Sequence, residues 1–70
     1  MNAKAEILRV EFNILLTRLE HCSEREKDWI ERMQKVIEKQ PNYFEIIPEK
    51  QYNAILQLNR NIDVIIGGRN

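Results

Sequence analysis

The chain has one cysteine, one histidine, two glycines and two prolines in 70 residues. A single cysteine, Cys22, excludes an internal disulfide and fits a reducing compartment. His21 and Cys22 supply two metal ligands, and a structural zinc site usually takes four from Cys and His. With so few Gly and Pro, and Gly67 and Gly68 both near the C-terminal end, little interrupts regular structure. That excludes a turn-rich β fold and favours helices. No apolar run approaches the ~18 residues of a membrane span, and the opening residues lack a secretory apolar core. The expected location is therefore the cytoplasm, away from membranes.

Neither charge sign dominates. Eleven basic and eleven acidic side chains give a net charge of zero. This argues against a strongly basic nucleic-acid binder but leaves room for a local basic patch. There is no phosphate-binding Gly-rich loop, no H-E-x-x-H and no G-x-S-x-G. The carboxylates mostly interleave with Lys and Arg along residues 24–39, the pattern of a solvated helix face. Neighbouring helical residues point about 100° apart, so His21 and Cys22 do not form a nucleophilic pair by adjacency alone. The expectation is a non-enzymatic protein with no metal, cofactor or small-molecule substrate.

Apolar periodicity predicts an all-α fold: two to three helices in an antiparallel hairpin or small bundle. Residues 3–20 form the first helix, with Leu8, Phe12, Leu15 and Leu19 at 4-3-4 spacing and Leu16 beside them. Ile7, Val10 and Ile14 form a second stripe on another side. Ser23 with Glu26 is an S-x-x-E capping box, and it predicts a second helix over 24–39. Trp29, Ile30, Met33, Val36 and Ile37 line one side of that helix. Acids in its first turns, lysines near its end and a Glu31–Lys35 pair agree with a separate element. A continuous helix remains open as well. Positions 5, 8, 12, 15, 19, 22, 26, 29, 33 and 36 keep a 3-4 rhythm, apolar except at Glu26, and no Gly or Pro interrupts residues 1–40.

Pro41 ends that helix. Residues 42–47 are too apolar for a solvent-facing loop, so Tyr43, Phe44 and Ile47 are expected to fold back over the helix ends, a short β segment being the alternative. Pro48 suits the first position of a third helix over 48–66. Tyr52, Ile55, Leu58, Ile62, Ile65 and Ile66 form its apolar face, and Gly67 is placed to close it in a left-handed conformation. Residues 1–66 make one domain, and 67–70 a frayed tail.

A chain this short buries only about 60% of the surface its unfolded form exposes. Such chains often rely on a partner for extra burial. A helix with two apolar stripes must be covered on two sides. The candidate partner-binding residues are Ile7, Val10 and Ile14, with Tyr43 and Phe44 contributing. They point to an adaptor or inhibitor that docks on a larger protein or on itself. Arg25, Lys27, Arg32 and Lys35 are the candidates for contacting nucleic-acid phosphates, the alternative function. Abundant Ile (10) and Asn (7) hint at an AT-rich source such as a phage or other mobile element.

Two resemblances bear on the same alternatives. Ser23-Glu24-Arg25-Glu26-x-x-Trp29-Ile30, followed by Pro48-Glu49-Lys50-Gln51 with Ile55, Leu58 and Ile62, resembles a helical hairpin of short accessory modules in bacterial and phage DNA-processing proteins. The chain departs from that pattern in Pro48, where Ser or Thr is usual, and in its longer apolar loop. Lys50-Gln51-Tyr52 and the tail of the last helix, residues 62–66, are similar to the small co-chaperones of type III secretion needle subunits. These resemblances imply a helical hairpin acting through a partner.

Overall fold

A computed structural model describes residues 3–67. Four helices follow one another: α1 (Ala3–Leu16), α2 (Glu24–Lys39), the single turn α3 (Tyr43–Ile46) and α4 (Glu49–Gly67). The described residues contain no strand. The fold is therefore the expected all-α bundle, and residues 42–47 take a helical turn rather than a β segment.

The first two helices are separate, and the break begins earlier than the expected end at residue 20. Thr17 and Arg18 donate backbone N–H bonds to Ile14 O (3.0 Å) and Leu15 O (2.9 Å), which tightens the last turn. The Thr17 hydroxyl also donates to Ile14 O at 2.7 Å, the local competition that makes Thr a poor helix continuer. A 3₁₀ turn, Leu19–His21, keeps Leu19 packed against the core. Cys22 and Ser23 are then extended (ψ 148° and 166°), which reverses the chain. The capping box is complete: Glu26 N donates to Ser23 Oγ (3.2 Å) and Ser23 N donates to Glu26 Oε1 (2.8 Å). In α2 the i,i+4 ion pair formed is Asp28–Arg32 at 2.9 Å, not Glu31–Lys35.

The two prolines set the remaining boundaries. Gln40 (ψ 86°) and Ile47 (ψ 136°) both leave helical space, as a residue before proline must. α3 lies between them and carries Phe44 and Ile47 inward, with the Phe44 ring tilted against Phe12 at 5.9 Å between centroids. α4 starts at Glu49, one residue later than expected, with Pro48 O accepting from Gln51 and Tyr52. It runs through Gly67, which is helical and not left-handed. Residues 68–70, the rest of the expected tail, lie outside the described part.

Lys4 sits over the Tyr52 ring at 4.3 Å, Asn59 bonds to Glu11, and Arg18 bonds to Asp63. Position rises along both helices in these pairs, so α1 and α4 run parallel. Arg25 shares a groove with Asn61, and Val36 shares one with Gln51, so α2 runs against α4. The order is up, down, up. Ala5, Leu8, Phe12 and Leu15 from α1, Ile30 and Met33 from α2, and Ile55, Leu58 and Ile62 from α4 make the core. Ile65 and Ile66, expected on that face, are about half exposed (52% and 49%). They follow Asp63, which pairs with Arg18 just beyond the end of α1.

Candidate functional site

α1 has two apolar faces, and the bundle covers one of them. Ala5, Leu8, Phe12 and Leu15 lie within about 80° of arc and are buried. Ile7, Val10 and Ile14 lie within about 60° on the side turned away from that core. Ile7 is 50% and Val10 56% exposed, and Ile14 is half-buried. Glu6 and Glu11 border Ile7 and Val10 around a shallow hollow of about 310 Å³. No basic side chain lines it. Lys4 is turned to Tyr52 and Arg18 to Asp63. Glu11 is also held from the α4 side, where Asn59 Nδ2 donates to its backbone oxygen (2.9 Å) and to Oε1 (2.7 Å). Ile7, Val10 and Ile14 thus form an exposed aliphatic stripe, the ridge of α1, with an acidic border.

Two other expected contributors are placed elsewhere. Phe44 is a core residue, 4% exposed, because α3 folds its ring onto Phe12. It offers a partner no surface. Tyr43 is half-buried, and its hydroxyl donates to Gln51 Oε1. Neither lies on the α1 ridge.

The basic candidates are only partly gathered. Arg25, Arg32 and Lys35 are exposed and lie within about 80° of arc on α2, whereas Lys27 lies about 160° from Arg25. Lys27 pairs with Glu24 (3.5 Å) and Arg32 with Asp28 (2.9 Å). Two of the four cations are thus already neutralised locally, which weakens a phosphate-contacting surface.

Cys22 is buried, and its Sγ–H donates to Arg18 O at 3.5 Å. Burial pushes its thiol pKa up, nearby Glu26 adds to this, and Lys27 pulls it partly back. A protonated, enclosed thiol is a small apolar side chain rather than a nucleophile. His21 beside it is exposed. Among the described residues no group of three or more His, Cys, Asp or Glu side chains is arranged to hold a metal, and no helix is long and apolar enough to cross a membrane.

Sequence periodicity did not reveal a second surface. α2 and α4 leave between them a groove of about 390 Å³, lined by Arg25, Glu26 and Trp29 from α2 and by Ala54, Gln57, Leu58 and Asn61 from α4. Ala54, with its single methyl, fills little of the groove that it lines with the Trp29 indole. The one signal in the sequence was Trp29, a large amphipathic side chain flanked by charges and only partly covered by its own bundle. No known protein family, curated protein or solved structure matches the chain.

Proposed function

We propose that this chain is a small non-enzymatic helical adaptor or inhibitor, working in the cytoplasm by docking the outer face of α1 on a larger protein or on another copy of itself. The observation that carries this reading is the exposure of Ile7 and Val10 on a helix whose other face already fills the core. Burying the open half of each side chain favours association by about 1 kcal/mol apiece. A ridge at i, i+3 and i+7 is the pattern by which one helix face seats in a groove. Glu6 and Glu11 at its border set the charge that an opposing surface must match.

The test is the double substitution Ile7→Asp with Ile14→Asp. Both side chains lie outside the buried core, so circular dichroism should show helicity largely retained. Light scattering and sedimentation should show the wild-type assembly lost. An assembly that survives both substitutions unchanged rejects the docking role of this face.

A further inference from the structure

The ridge on α1 and the groove between α2 and α4 complement each other. The ridge is aliphatic, and Glu6 on its border has no ion-pair partner among the described residues. The groove is concave, and Trp29, Ala54 and Leu58 make it mostly apolar. Of the two charged side chains lining it, Glu26 is held in the capping box by Ser23 N. The other, Arg25, is exposed and without an ion-pair partner among the described residues. The groove therefore offers a cation beside an apolar hollow, and the ridge offers an anion beside apolar knobs. They lie on different seams of the bundle, so one molecule cannot bring them together. Two molecules can.

We infer that the occupant of the groove is the α1 ridge of a second copy of this chain, with Ile7 and Val10 against Trp29, Ala54 and Leu58, and Glu6 paired with Arg25. This rests on the docking role proposed for the ridge and names its partner. The contact joins two different surfaces, head to tail. After each contact it leaves one ridge and one groove open, so growth does not stop at a dimer. The faces involved are small, which places the association among weak interfaces.

Two variants test this. Ile7→Asp with Val10→Asp disables the ridge, and Ala54→Glu fills the groove and repels Glu6. All three positions are exposed, and circular dichroism verifies that both variants fold. Sedimentation velocity from about 10 µM to about 1 mM covers the range of a weak interface. The wild-type mass should climb past that of a dimer. Each variant alone should stay monomeric. Their equimolar mixture should form a dimer and nothing larger, because one working ridge and one working groove remain. Trp29 emission should shift in the mixture and not in the separate variants. A wild-type chain that stays monomeric throughout overturns the inference, as does a mixture that stays monomeric. Self-association of the Ala54→Glu variant also overturns it, since that would mean ridge meeting ridge. The docking role itself fails separately, if the ridge variant keeps a complex that the wild type makes with another protein.

Discussion

Asn59 is the buried polar side chain of the core, 4% exposed on α4. Its Nδ2 holds Glu11 by both the backbone oxygen and the carboxylate, while its Oδ1 is buried without a hydrogen-bond partner among the described residues. An apolar residue here would avoid that orphaned oxygen but would lose both bonds that tie α4 to Glu11 of α1. Asn59→Ala should destabilise the fold by about 1–3 kcal/mol through the lost bonds to Glu11. Asn59→Asp should destabilise it more at neutral pH, because it removes the donor and sets one carboxylate against another. Urea unfolding of the two variants measures the order. Periodicity left this residue unmarked: it sits beside Leu58 and Ile62, and only the parallel pairing of α1 with α4 turns it towards Glu11.

At the scale of elements, the break between α1 and α2 rests on backbone chemistry rather than on hydrophobic pattern. The 3-4 rhythm runs on through residues 17–23, and a single long helix would satisfy it. The Thr17 hydroxyl bond, the extended Cys22 and the reciprocal bonds of Ser23 and Glu26 select the hairpin instead. Ser23→Ala should therefore destabilise the protein by about 1 kcal/mol, the usual worth of an N-cap hydroxyl. Glu26→Gln should change little, since a side-chain amide oxygen can accept the same bond from Ser23 N. Thermal unfolding followed at 222 nm compares the two. The cap was readable from the residues, as was the inward fold of Phe44 and Ile47. The end of α1 was not, because Leu19 faces the core equally well from a 3₁₀ turn. Nor was the outward position of Ile65 and Ile66, which depends on where the neighbouring helices end.

Across the whole molecule, an up-down-up order sets α1 and α4 side by side, and the ion pair between their two sides is weak on its own. The Arg18–Asp63 bridge (2.6 Å) joins partly exposed side chains and is worth at most about 1 kcal/mol. The core itself draws on every helix, including the single turn of α3. Two full helices, α2 and α4, and the short turn of α3 enclose one face of α1 and leave the other open. The existence of that second stripe followed from the spacing of Ile7, Val10 and Ile14. Its acidic border and the separate Trp29 groove required the packing of α1 and α2 against α4.

The most direct measurement is the alkylation rate of a cysteine placed at Val10 in a Cys22→Ala background, where it is the only thiol. In dilute solution iodoacetamide should modify it within a few-fold of the rate for an unstructured peptide, and concentrating the protein into its assembly should slow that reaction. A thiol that reacts in the dilute chain only as fast as the protein unfolds would show the bundle already enclosing this face, and would contradict its role as a docking surface.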